Sequence, residues 1–285
     1  MLEPLQRDEA FLADVEAAPA DPSTLALWWL GQSGFLVAWN GVRLLLDPYL
    51  SDTLTATYAA TDRPHVRVTA RVVDPAALRG IDVVTASHGH TDHLDPGTLG
   101  PVVAGSPGLR LVVPEAIRAL AEERSGLPSE QVLGLDAGDS VDVAGVLVAA
   151  VPAAHETVER DEQDRCRSLG LVLDLGPWRV YHAGDTVRYD GMEELLAPLA
   201  VDVAILPING RDPAGRAAGN LDGPEAARLA HAIGARLAIP CHYGTFAFDA
   251  TTPDAFATEA ARLGQPALAL RAGEGWRATR AAGAP

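Results

Sequence analysis

Residues 88–93 read His-Gly-His-Thr-Asp-His, which puts three imidazoles and a carboxylate within six positions of a 285-residue chain that holds eight histidines. Imidazole nitrogen and carboxylate oxygen together suit zinc, and also manganese or iron. In an extended or turning backbone His88 and His90 face the same side, with Asp92 and His93 one step further round. Such a cluster can divide itself between two neighbouring cations. Gly89 lets the main chain pass close to them. A loop of solvated histidines is the bland alternative. Three of the eight histidines in one short span, directly after the apolar run Ile81–Ser87, argue against it.

Three further donors share this setting. His155 follows the apolar run Gly145–Val151, Asp185 follows Arg179–Ala183, and His242 follows Arg236–Pro240. Each is a polar residue just past an expected strand, where open sheets build sites. One such residue alone is more often a structural cap than a ligand; beside the cluster, the three complete the donors for two metals.

Other residues are candidates for holding substrate. Arg211, in Asn209-Gly210-Arg211-Asp212, could clamp an anion by a forked pair of hydrogen bonds, against the alternative of a surface salt bridge with Asp212. Asn209 lies beside it, Tyr243 adjoins His242, and His65 sits in a long polar loop. Cys241 is expected to pack rather than ligate, because side chains alternate across a strand end. His182 reads equally as a core residue or as a partner of the site, and Trp28 and Trp29 as core.

The elements that must position these residues come in a repeated order. A helix over Arg7–Ala18 is followed by strands Leu25–Leu30 and Gly34–Trp39, and Asn40-Gly41 is a strong hairpin signal before VRLLLDP. Asp47–Asp74 lacks periodicity and reads as a long loop. Strands at Ile81–Ser87 and Leu109–Val113 and a helix at Pro114–Arg124 complete the first half. The second half repeats strands (Leu169–Leu175, Trp178–Ala183) and then strand–helix units (Val201–Leu206, Gly223–Ile233, Arg236–Pro240, Pro253–Leu263). This predicts an α/β fold in which two sheets pack together with helices outside. We divide the chain into an N-terminal helix and connector (1–24), one domain (25–279) and a tail (280–285).

Composition narrows the partners. Hydrophobic residues are 48% and charged residues 21%, ordinary for a globular protein. The net charge of −16 disfavours nucleic acid. No export signal or membrane span is read, and two distant cysteines suit a reducing cytoplasm. A small-molecule substrate is expected, and a homo-oligomer is left open. No Walker loop, dinucleotide fingerprint or nucleophile elbow occurs; Gly31-Gln32-Ser33-Gly34 has the wrong spacing for the last.

HGHTDH followed by His155, Asp185 and His242 resembles the metallo-β-lactamase superfamily of hydrolases, over about Leu25–Arg277. TLALWWLGQSGFLV, LLLDPYL and VYHAGDT look most like its ascorbate-6-phosphate lactonase-like branch and the related N-acylphosphatidylethanolamine phospholipase D-like proteins. The resemblance implies a four-layer αββα sandwich with metals between the halves. It implies that His88, His90 and His155 bind one metal, that Asp92, His93 and His242 bind the second, and that Asp185 bridges both. It further implies two divalent transition metals, zinc first and manganese second, that activate a hydroxide against a small ester, lactone or phosphoester, with Asp92 the catalytic carboxylate. A phosphorylated sugar lactone is the narrower expectation. A phosphodiesterase or phospholipase D-like activity, or metal binding without turnover, are the alternatives.

Overall fold

In the computed structural model, which describes residues 1–211, 219–248 and 251–280, the chain forms two mixed sheets with helices on their outer faces. The first half begins with helix α1 (Asp8–Glu16) and an antiparallel meander of β1 (Thr24–Gly31), β2 (Gly34–Trp39) and β3 (Val42–Leu46). Asn40 and Gly41 make the β2–β3 turn with φ of 49° and 83°, the left-handed pair that a two-residue hairpin requires. The segment after β3 carries the short helix α2 (Thr53–Tyr58). Parallel strands follow: β4 (Val83–Thr85), β5 (Arg110–Pro114) and β6 (Val132–Leu135), with α3 (Pro96–Gly105) and α4 (Arg118–Ser125) between them.

The second half repeats the scheme. Antiparallel β7 (Ser140–Val143), β8 (Val146–Pro152), β9 (Leu169–Leu175) and β10 (Trp178–His182) come first. Helix α5 (Met192–Leu196), β11 (Val203–Pro207), α6 (Gly223–Ala232), β12 (Leu237–Cys241) and α7 (Asp254–Leu263) follow, with β10, β11 and β12 parallel. The last strand, β13 (Gly275–Thr279), returns to pair with β1. The sheet orders are β13-β1-β2-β3-β4-β5-β6 and β12-β11-β10-β9-β8-β7.

Strand alternation sorts the core. Leu25, Leu27, Trp29, Phe35 and Val37 face the other sheet and meet Val148, Leu171, Leu173 and Val180. Ala26, Trp28, Leu30 and Leu36 point the other way and pack with Phe11 and Val15 of α1, Leu99 and Val102 of α3, and Ala121 of α4. Both faces of β1 are thus covered, which is why it is apolar without alternation. This is the pair of packed sheets with outer helices that the sequence pattern predicts, and the αββα sandwich that the resemblance implies. Among the described residues no helix is long and apolar enough to cross a membrane.

Four elements escape the sequence pattern. Helix α2 lies in Asp47–Asp74, the stretch read as a long loop, because its six residues are too few to show a helical period. The α3 segment, PGTLGPVVAG, is poor in helix formers; it is started by Asp95, whose carboxylate accepts from Gly97 N and Thr98 Oγ1, and is held by burial of Leu99 and Val102. Strands β6 and β13 lie at opposite edges of the first sheet, where only pairing identifies them. The expected helix over Pro114–Arg124 starts later, at Arg118, behind a single 3₁₀ turn at Glu115–Ile117.

Candidate metal centre

All seven donors follow strand C-termini and meet at one edge of the sandwich. Strand β4 leads to His88, β8 to His155, β10 to Asp185 and β12 to His242. The HGHTDH segment is bent into a turn, with His93 N and Leu94 N both donating to His90 O. Arg124 of α4 reaches under it and donates to Gly89 O at 2.8 Å and Leu94 O at 3.2 Å. His242 takes φ of 59°, the left-handed conformation that turns it off the end of β12.

Three overlapping donor groups result: His88, His90, His155 and Asp185 form the first, Asp92, His93 and His242 the second, and Asp47 with His88 and His93 a third that shares a ring with each of the others. In the first, His88 Nε2 faces His90 Nδ1 at 2.9 Å and His155 Nε2 at 3.3 Å. His155 Nδ1 lies 3.2 Å from Gly219 O, so that nitrogen carries the proton and Nε2 offers a lone pair. Asp185 lies between the sets: Oδ1 is 3.3 Å from His93 Nε2, and Oδ2 is 3.3 Å from His242 Nε2.

The electrostatics differ between the sets. Burial, reinforced by the neighbouring imidazoles, holds His88 well below the ordinary histidine range and lowers His90 too. These rings are neutral, with lone pairs available. Burial also opposes charge on His93, but the carboxylates of Asp185 and Asp92 outweigh it and raise His93 to about 10. Against the same penalty, His93 and His242 hold Asp92 well below the usual carboxylate range, and His242 and His93 do so for Asp185.

The donors fit divalent cations on two counts. One neutral N–H serves one acceptor, so three converging imidazole nitrogens in the first set cannot all be satisfied by one another. In the second, His93 Nε2 and Asp185 Oδ1 are buried and close, yet neither has a hydrogen bond of acceptable geometry. A cation that takes the place of the His93 Nε2 proton would serve both atoms.

Four supporting residues have no place in the motif. Asp47 Oδ2 lies 2.6 Å from His93 Nδ1, and Asp47 also accepts from Ser87 N at 2.9 Å and from Ser87 Oγ. Ser87 Oγ is 3.0 Å from His88 Nδ1. Gln32 Nε2 donates to Asp92 Oδ2 at 2.8 Å. Arg124 is the fourth. Asp47 does carry a sequence signal, a polar residue just past an apolar strand, the rule that finds His155 and His242.

The residues read as substrate contacts lie outside the donor sets. Arg211 is exposed and pairs with Glu225 at 2.8 Å; Asp212 lies outside the described residues. Asn209 Oδ1 accepts from Asn220 Nδ2 at 3.0 Å. Tyr243 packs tilted against Trp29, with ring centroids 4.6 Å apart, and donates its hydroxyl to Leu270 O, lining a cavity of about 390 Å³ with Gly31, Thr69 and Thr245. His65 stacks on Tyr58 at 4.1 Å and meets Phe246 and Phe248 edge-on. His182 Nε2 lies 2.9 Å from Ser33 O, and Cys241 is buried with its thiol pKa pushed up by burial.

A sandwich of two mixed sheets that gathers seven His and Asp donors at its strand ends defines a metal-binding α/β class. Comparison with known proteins gives the family. The model described as "Beta-lactamase superfamily domain" matches residues 42–243. A UPF0173 metal-dependent hydrolase of Methanopyrus kandleri is 32% identical over 243 residues, covering 84% of this chain and 93% of that one. Among solved structures, an isothiocyanate hydrolase from Delia radicum gut bacteria superposes with a TM-score of 0.71 at 18% identity, covering 89% and 99% of the two chains. A metallo hydrolase from Ignicoccus hospitalis does so at 0.66 and 23%, covering 90% and 100%. The chain belongs to the metallo-β-lactamase superfamily, among the UPF0173 metal-dependent hydrolases.

Proposed function

We propose that this protein is a hydrolase that uses two divalent cations on a small ester, lactone or phosphoester. The observation that carries the reading is Asp185, whose two oxygens face the second set while it also belongs to the first. His88, His90 and His155 would hold one cation, Asp92, His93 and His242 the other, and Asp185 would span them. Zinc heads the expected metals and manganese follows, since both accept nitrogen and oxygen donors.

Cations held by these residues would supply Lewis acidity, activating a water as the nucleophile and polarising the scissile carbonyl or phosphoryl oxygen. The chain supplies the rest. Asp92 stays anionic at neutral pH, so it can orient a water by accepting its proton in a hydrogen bond. Asp47, through Nδ1 of His93, holds that ring with Nε2 toward the site. Arg211, Asn209, Tyr243 and His65 are the proposed substrate contacts. A phosphorylated sugar lactone, the substrate suggested by the branch resembled, would suit the exposed guanidinium of Arg211. The buried free thiols of Cys166 and Cys241 suit a reducing cytoplasm.

The test is a panel of lactones, phosphodiesters and aryl esters with zinc- and manganese-loaded protein, alongside metal content. About two metals per chain and turnover that Asp92→Asn lowers by roughly 10²-fold or more are expected, the usual scale of general acid–base positioning. Turnover unchanged in Asp92→Asn, or full turnover with one metal, overturns the reading.

A further inference from the structure

Gln32 stands at the centre without an assigned role. It occupies the turn Gly31-Gln32-Ser33-Gly34 between β1 and β2, with φ of 51°. The left-handed region is unfavourable for a glutamine, and such strain persists only where the surroundings impose it. Here they do. Gln32 N donates to Thr245 Oγ1 at 3.1 Å, and Gln32 O accepts from His242 N at 2.8 Å and from Trp29 Nε1 at 2.9 Å. The next carbonyl, Ser33 O, accepts from His182 Nε2 at 2.9 Å. The backbone of Gln32 is therefore tied to the segment that carries His242.

Its side chain reaches the other partner. Gln32 is 2% exposed. Nε2 lies 2.8 Å from Asp92 Oδ2 and 3.1 Å from His242 Nε2, while Oε1 is buried with no hydrogen-bond partner. The Asp92 carboxylate fixes the amide orientation, because only Nε2 can donate. A buried amide with one end unpaired is worse for packing than an apolar side chain of the same shape. Packing therefore does not account for a glutamine here, whereas a donor to Asp92 does.

Asp92 and His242 come from opposite halves of the molecule, on the β4 and β12 ends. Their ligand atoms, Asp92 Oδ2 and His242 Nε2, are 3.4 Å apart. Gln32 contacts both, and its main chain holds the second from behind. We propose that Gln32 is a positioning residue for the second donor set: it fixes Asp92 Oδ2 relative to His242 so that both meet one cation. The first set has no contact of this kind with Gln32 among the described residues, so the effect is confined to one of the two cations. This rests on the two-cation reading.

The experiment needs no substrate. Zinc and manganese alone are titrated into metal-free wild type and Gln32→Met against a chromophoric chelator, with metal content after dialysis as a second readout. Methionine keeps the length and removes the donor; Gln32→Leu, read the same way, covers failure of the first variant to fold. His155→Ala, which disables the first set, identifies which binding step belongs to the second. Two steps in the wild type, with the second weakened about 10–100-fold in the variant and the first unchanged, is the expected result. Two unchanged steps overturn the role of Gln32 and leave the two-cation reading standing. A single wild-type step that the variant leaves intact overturns both. A single step that the variant weakens overturns the pairing of cations and keeps Gln32 as the positioning residue.

Discussion

Asp47 Oδ2 and His93 Nδ1 are 2.6 Å apart, and both side chains are fully buried. The carboxylate fixes the ring's orientation: with Nδ1–H facing Asp47, Nε2 turns to Asp92 and Asp185. Asp47 is fixed in turn by both polar hydrogens of Ser87, the residue before His88. The start of the cluster and its last histidine thus share one support.

Asp47→Asn removes that carboxylate with little change in shape. We expect metal affinity to fall about 10–100-fold, the usual cost of losing a partner behind a ligand. A competition titration against a chelator checks it. Affinity equal to wild type would mean that packing alone orients His93.

Metal binding should release protons. In the metal-free protein His93 holds its extra proton up to about 10, because Asp185 and Asp92 override the burial penalty. A cation at Nε2 must displace that proton, so affinity rises with pH by about tenfold per unit for each proton released. Calorimetry at pH 7.5 in buffers of differing ionisation enthalpy counts the protons. A count of zero contradicts a charged His93.

Gly184 precedes Asp185 with φ of 60°, and a Cβ there would lie 2.4 Å from Ser87 Cβ and 2.6 Å from Ser87 Oγ. Gly184→Ala therefore strains the backbone and pushes the residue that holds Asp47. We expect a destabilisation of about 1–3 kcal/mol from overcrowding, with the left-handed strain added to it. Urea unfolding measures the loss, and chelator titration should show weaker metal binding in the same variant.

Away from the site, Glu259 of α7 accepts from Arg228 of α6 at 2.6 Å and from Arg262 at 2.7 Å. The Arg262 hydrogen bond, then Arg228, lowers its pKa from 4.5 to about 2. A carboxylate depressed on folding stabilises above its unfolded pKa and loses that contribution as pH falls through the folded one. Glu259→Gln should lower the melting temperature at pH 7, and the gap should close between pH 4.5 and about 2. A gap independent of pH would assign the effect to packing.

Much of this centre is written locally. His88, His90, Asp92 and His93 sit within six residues, so any turn after a buried strand brings them close. His155, Asp185 and His242 are legible by one rule, a donor following an apolar run. Asp47 obeys that rule too, but LLLDPYL reads first as a strand entering a loop, and nothing local shows that its carboxylate ends beside a ring 46 positions away. Gln32 is harder still, because its turn matches no motif and its contacts lie 60 and 210 positions along the chain. The same holds for α3, where glycine and proline argue against a helix that burial of Leu99 and Val102 nonetheless imposes.

Residue types and periodicity settle which groups can bind a cation, which apolar runs become the inner strands, and that two apolar sheets must cover each other, because side-chain chemistry and the apolarity of a run are local properties, whereas the edge strands β6 and β13 are set by pairing. Which donors share a cation, that Asp185 stands between two sets, and that Asp47, Ser87 and Gln32 hold the donors in place depend on two sheets docking at one edge. That arrangement comes from burying both inner faces at once, a requirement of the whole chain and of no single segment.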